Sequence, residues 1–385
     1  MTQQAVLRRD DISEFISKMY EGDLHAKRAL SLSNATLGVL TSASLAIHAV
    51  GQGLAQATGK LGKHGVKQVD RLLSNDGIDV ERFFGYWVPY MVGARPEMVV
   101  ALDWTSFARD GHETLVLSML TGHGRATPLM WRTVQASTLK GNQRRYEDEL
   151  LRALRDAVPA GVKVTVVADR GFGNGPVIQC VSEELGFEYV LRIRGDFYVT
   201  NAKGERRLAS DWVGVKGRSR TLRGATVTES ELPVGTVVCV HAKAMKESWC
   251  VVASEEKIAT RTLIRYYAKR WGIETSFRDI KDMRFGMGMS AMRIRHTARR
   301  DRLLLLSALS IALLTLLGAA GESLGYDRWL KANTVKTRTH SLFRQGLMLY
   351  QHIPNWPEHR LRPLVEKFAQ MLIEQRVYRE IFGVI

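Results

Sequence analysis

Three carboxylates and one short polar stripe are the residues of this 385-residue sequence whose types and spacing could do chemistry. Asp103 closes the apolar run M-V-V-A-L-D, and Asp169 closes K-V-T-V-V-A-D, so each reads as the end of a buried strand. Glu274 lies in Y-A-K-R-W-G-I-E-T-S-F-R-D-I-K, where Tyr267, Arg270, Glu274 and Lys281 follow one another at steps of three, four and seven. At about 100° of rotation per residue, one helix would gather these four within an arc of roughly 60°. A carboxylate, two cations and a phenol make a poor face for a core and a good one for holding phosphate. An acid at a strand end is ordinarily a cap or turn residue, so the argument rests on the conjunction of all three acids. Brought to one point, they would repel one another unless divalent cations neutralised them. That many hard oxygen ligands suit two Mg2+ (or Mn2+) ions. Ions about 3.5–4 Å apart can activate an attacking oxygen and stabilise a leaving one during in-line phosphoryl transfer.

The elements that must position these residues are legible in outline. Apolar runs at 98–103, 115–120 and 126–132 read as antiparallel strands, with T-G-H-G-R as turn material before the third. A helix over 142–157, a strand over 163–169, the glycine turn R-G-F-G-N-G, a helix to Leu185 and a strand over 188–194 follow. This order predicts an α/β fold with a ribonuclease H-like mixed sheet, whose central strands carry acids at one end. We divide the chain into an N-terminal helical DNA-binding domain (1–92), a first part of the core (93–194) and an all-β insertion (195–256). A second part of the core with the Glu274 helix (257–320) and a C-terminal helical region (321–385) complete it. In the first domain, Asp10 and Asp11 start a helix burying Phe15, Ile16 and Met19. Gly59, Gly62 and Gly65 form an expected flexible joint, and a helix restarts over 66–74. Lys60, Lys63, Lys67 and Arg71 recur there at three- and four-residue steps, either as a solvated face or as one contacting phosphates.

Composition narrows the classes. The chain is 45% hydrophobic and carries a formal net charge of +16 with pI ≈ 9.9, which points to a polyanionic partner. Residues 261–302 hold 12 Lys and Arg against 4 Asp and Glu. Cys180, Cys239 and Cys250 have neither C-x-x-C spacing nor paired histidines, so a zinc site and a disulfide framework are disfavoured and a reducing, cytoplasmic setting is expected. The N-terminus lacks the apolar stretch of a signal peptide. Leu303 to Ala320 is almost free of charge and close to the lower limit for a membrane span; a buried core helix is the preferred reading, so no membrane partner is expected.

The motifs A-L-D-W-T, A-D-R-G-F-G and Y-x-x-R-x-x-x-E-x-x-x-x-x-x-K together resemble those of a bacterial insertion-sequence transposase of the DDE type, in the cut-and-paste group defined by the Y-R-E-K signature. The resemblance implies that Asp103, Asp169 and Glu274 are catalytic and hold the metals, and that Tyr267, Arg270 and Lys281 contact DNA phosphates. It implies double-stranded DNA at terminal inverted repeats and target DNA as partners, a homodimer in the synaptic complex, and a nucleoid-associated enzyme. In that group cut ends can pass through a hairpin, with a tryptophan of the insertion accommodating a flipped base. Trp249 stands in a matching context, and packing of the insertion core is its other reading; Trp271 is a second aromatic candidate. Arg170 either binds phosphate or pairs with an acid. Asp279 and Asp282 lie near Glu274, which alone fits the signature. Arg293, Arg295, Arg299, Arg300 and Arg302 read as a continuing DNA surface or as a solvated flank. Asp110 and His112 read as turn residues. A nuclease of the same fold that cuts without joining, and an inactive DNA-binding relative, are the rival classes.

Overall fold

The computed structural model describes residues 9–374 except Glu21 and Ala244; the expected segments 1–8 and 375–385 therefore lie outside the described residues. Ten strands form one sheet: β1 (Glu97–Phe107), β2 (His112–Leu120), β3 (Ala126–Gln135), β4 (Lys163–Ala168), β5 (Glu188–Ile193), β6 (Tyr198–Thr200), β7 (Arg206–Leu208), β8 (Arg220–Val227), β9 (Leu232–Val240) and β10 (Trp249–Ala253). Their order is β3-β2-β1-β4-β5-β10-β9-β8-β6-β7. β1 to β3 form an antiparallel meander, while β1, β4 and β5 run parallel. This is the mixed sheet of a ribonuclease H-like α/β core. Its central strands are buried on both faces, which is why they read as continuous apolar runs rather than alternating ones. The β-rich residues after β5 do not fold apart from the core. β10 pairs antiparallel with β5, so β6 to β9 extend the same sheet outward.

Among the described residues, five helices precede the sheet: α1 (Arg9–Met19), α2 (Ala26–Ser42), α3 (Ile47–Thr58), α4 (Gly62–Leu73) and α5 (Val80–Val92). The expected joint at Gly59, Gly62 and Gly65 is a tight turn instead, with the last two glycines inside α4. Close packing is the reason: a Cβ on Gly65 would stand 2.1 Å from the Gly51 carbonyl of α3. In the core, α6 (Ala136–Leu139) and α7 (Gln143–Ala157) lead from β3 to β4, and α8 (Gly175–Gln179) with a following turn of π-helix leads from β4 to β5.

After β10 come α9 (Thr260–Lys269), α10 (Trp271–Lys281), α11 (Thr297–Ser323), α12 (Leu342–His352) and α13 (Glu358–Ile373). α11 is long and apolar enough to cross a membrane, but its apolar window lies entirely inside the protein, against β3, α2, α12 and α13. Gly318 of α11 and Gly346 of α12 let these two helices touch backbone to backbone, since a Cβ on Gly346 would sit 1.8 Å from the Leu314 carbonyl. Two arginines in the first turns of α11 are buried and tie distant parts together. Arg300 pairs with Asp110, donates to His112 Nδ1 at 3.0 Å and lies over the Phe107 ring. Arg302 donates to the Leu73 and Ile78 carbonyls and to Asp76, fastening the N-terminal helices to the core. Arg299 pairs with Asp70 on α4. These three arginines hold the molecule together rather than forming a free DNA surface.

Candidate active site

The register of β1 against β4 puts the two aspartates side by side. The last paired residues are Leu102 and Ala168, and Asp103 and Asp169 are the next residue on each strand. Asp103 does not end its strand as the apolar run suggested: β1 continues to Phe107, paired only with β2. What ends there is the pairing with β4, which leaves the Asp103 side chain at a sheet opening. Its Oδ1 accepts from the Trp104 amide at 2.9 Å. Asp169 begins the glycine turn, and its Oδ1 accepts from the Gly171 amide at 2.8 Å.

Glu274 reaches this opening from the helical layer. The expected single helix from Tyr267 to Lys281 is two, α9 and α10, meeting at Arg270. There the chain tightens into i to i−3 bonds, Arg270 to the Tyr267 carbonyl at 3.1 Å and Ile273 to the Arg270 carbonyl at 2.9 Å. Arg270 itself keeps right-handed helical angles, so the bend costs little backbone strain. Its guanidinium, 12% exposed, spans the two carboxylates, with Nη1 donating to Asp103 at 3.1 Å and Nη2 to Glu274 at 2.5 Å. The third carboxylate joins this cluster electrostatically. Burial pushes the Asp103 carboxyl up to about 6; Arg270 opposes the rise, and the charges of Asp169 and Glu274 add to it. Other nearby acids are accounted for elsewhere: Asp279 pairs with Arg125, and Asp282 caps the Arg284 and Phe285 amides.

Among the described residues, no three His, Cys, Asp or Glu side chains stand close enough together to hold one ion. The donor chemistry nevertheless fits a hard divalent cation. Three carboxylates feel one another, and one guanidinium leaves Asp103 still raised above its ordinary value. Arg270 bonds both Asp103 and Glu274, so it competes with a cation for these two carboxylates.

The remaining residues fall into two groups. Tyr267 is 5% exposed, with burial raising its phenol, and Trp249 packs edge-on against it at 4.8 Å between ring centroids. Lys281 donates to Thr105 Oγ1 at 3.2 Å and to the Ser106 carbonyl, so it braces the far end of β1. Burial lowers its amine, with Glu113 opposing and Arg300 adding. Trp271, by contrast, is 57% exposed at the start of α10. Arg170 is exposed and paired with Glu247 at 2.8 Å. Lys67 and Arg71 lie on the exposed side of α4. Sequence reasoning missed Arg192 on β5, which bonds the Ser248 carbonyl and Glu247 near Asp169. Its place in E-Y-V-L-R-I-R, an arginine in an otherwise buried strand, was the available signal.

Residues 95–311, from just before β1 to within α11, match the family model described as "Transposase DDE domain". No curated protein matches the chain.

Proposed function

The chain belongs to the Transposase DDE domain family, and from that premise we propose that it is a cut-and-paste transposase that hydrolyses DNA at the ends of a mobile element and joins them to target DNA. The observation carrying this reading is the junction of strand register and helix: Asp103 and Asp169 emerge side by side, and Glu274 shares a guanidinium with Asp103. Asp103, Asp169 and Glu274 would hold divalent cations, Mg2+ or Mn2+, which supply activation of the attacking oxygen and stabilisation of the leaving one when bound. In the first reaction water attacks a backbone phosphorus, the P–O3′ bond breaks, and the strand leaves with a 3′-hydroxyl. In the second, that hydroxyl attacks a target phosphorus and displaces the target's own 3′-oxygen, so no external energy source is needed. Arg270, released from the carboxylates, would contact the phosphate under attack. Tyr267 and Lys281 would contact neighbouring phosphates, Tyr267 on leaving Trp249 and Lys281 on leaving β1. Arg170 flanks the site on the Asp169 side.

Lys67 and Arg71 on α4 would contact phosphates of the terminal inverted repeat, positioning the end without reading it. Of the two tryptophans proposed to stack on an extruded base, Trp271 has an exposed ring, whereas Trp249 would have to leave Tyr267. Two ends must be processed together and each chain carries one carboxylate cluster, which supports a homodimer assembled on double-stranded DNA. The setting that follows is the bacterial cytoplasm, at the nucleoid.

The test is strand transfer. With Mg2+, duplexes bearing the inverted repeats that flank the reading frame, and a supercoiled target plasmid, covalently joined end–target products are expected. Cleaved ends with no joined product would support the nuclease reading instead. Neither product would contradict both.

A further inference from the structure

An open groove of about 680 Å3 runs beside Asp169, between the glycine turn and the loop leading into β10. The fold makes it rigid at one wall: a Cβ on Gly173 would stand 1.9 Å from the Arg192 carbonyl, so the turn lies directly on β5. That contact sets Arg170 and Arg192 at the same wall, with Arg194 further along it. Across the groove, one side chain engages two of these cations. Glu247 Oε2 accepts from Arg170 Nη1 at 2.8 Å and Oε1 from Arg192 Nη2 at 3.1 Å. Arg192 also donates to the Ser248 carbonyl, while its buried Nε meets no hydrogen-bond acceptor. A two-oxygen anion between two guanidiniums is the arrangement these groups make with a backbone phosphate. Glu247 itself is half exposed on a loop, so an anion can reach it from solvent.

We propose that this groove is a phosphodiester-binding site for the DNA strand leading away from Asp169, and that the Glu247 carboxylate holds the place of one of its phosphates. Entry of the strand exchanges that phosphate for Glu247 on Arg170 and Arg192. Glu247 is therefore a latch: without DNA it offsets part of the charge of Arg170 and Arg192, and an entering anion must displace it. Anions that engage only one of the arginines do not open it, whereas a continuous strand does. The inference rests on the reading of the chain as a DNA-processing enzyme and adds a binding site and its gate to it.

The test is the affinity of the full chain for a labelled single strand of about 15 nucleotides carrying no element-end sequence, by fluorescence anisotropy at fixed salt. Glu247→Gln should bind about threefold more tightly or better, because an ionic competitor has been removed from the arginines. Glu229→Gln, which removes the same charge from the exposed pair with Arg206 elsewhere in the insertion, should give a smaller change. In an Arg170→Ala background, Glu247→Gln should lose most of its gain. Thermal melts show whether each variant is folded. Equal affinities for wild type and Glu247→Gln, or an equal gain in Glu229→Gln, would overturn the latch while leaving DNA binding intact. Failure of every variant and of wild type to bind single- or double-stranded DNA would overturn the latch and the DNA-processing reading together.

Discussion

Arg270 is where the strand acids and the helix acid meet, and its position follows from burial. A guanidinium with little solvent access needs partners, and Asp103 and Glu274 are the two within reach. The same logic governs Asp301, at the start of α11, whose carboxylate accepts from the Thr133 amide at 3.1 Å. Burial raises its pKa to about 7, opposed by the Thr133 hydrogen bonds and by Arg132 and Arg300. Between the ordinary carboxylate range and about 7, the folded chain therefore holds a proton that the unfolded chain has released. Folding takes up protons in that window, so Asp301 lowers stability as pH rises through it. Asp301→Asn keeps an acceptor for Thr133 and cannot ionise. Its melting temperature should gain on wild type by several degrees between about pH 5 and pH 8; parallel curves would contradict the assignment. Such residues were the least legible in the sequence. Arg300 and Arg302 read as surface charge because their partners, Asp110 and Asp76, are about 190 and 226 positions away.

At the scale of elements, the strands and most helices were legible because their apolar periodicity is local. Asp169 and the glycine turn after it were plain as a strand end, whereas Asp103 lies inside β1, at the point where the pairing with β4 stops. Two features were not. The break at Arg270 keeps right-handed helical angles at that residue, and Gly272 beside it lies inside α10 without a positive φ, so the local sequence gives no clear stop. The joining of β10 to β5 brings Cys250 opposite Ile193, a pairing of distant segments that no local pattern encodes. The glycines of the helical layer were visible, but their role as contact points, rather than joints, depends on the neighbouring helix. Gly346→Ala should therefore destabilise the protein by about 3 kcal/mol or more, since backbone must move to admit the methyl. Gly85→Ala on α5, whose Cβ meets nothing within 4 Å, should be neutral or stabilise by up to about 1 kcal/mol. Chemical denaturation of the pair measures both, and similar losses would contradict the packing account.

Across the whole molecule, one buried helix, α11, is the spine against which the N-terminal helices, the sheet and the C-terminal helices pack. The N-terminal helices are bolted to it through Arg299 to Asp70 of α4 and Arg302 to Asp76. A net charge of +16 gives the assembly long-range attraction for DNA, but much of the arginine is internal bracing, so total charge overstates the binding surface. The sequence showed the charge excess and not its division between bracing and surface, because that division depends on which acids the fold delivers. The central claim is that Asp103, Asp169 and Glu274 form one DNA-cutting centre. It is tested most directly by strand cleavage of an end duplex in Mg2+ by Glu274→Gln, alongside end binding by the same protein. Cleavage should fall by a factor of about 1,000 or more while binding stays within a few-fold of wild type; cleavage retained at the wild-type rate would contradict the account.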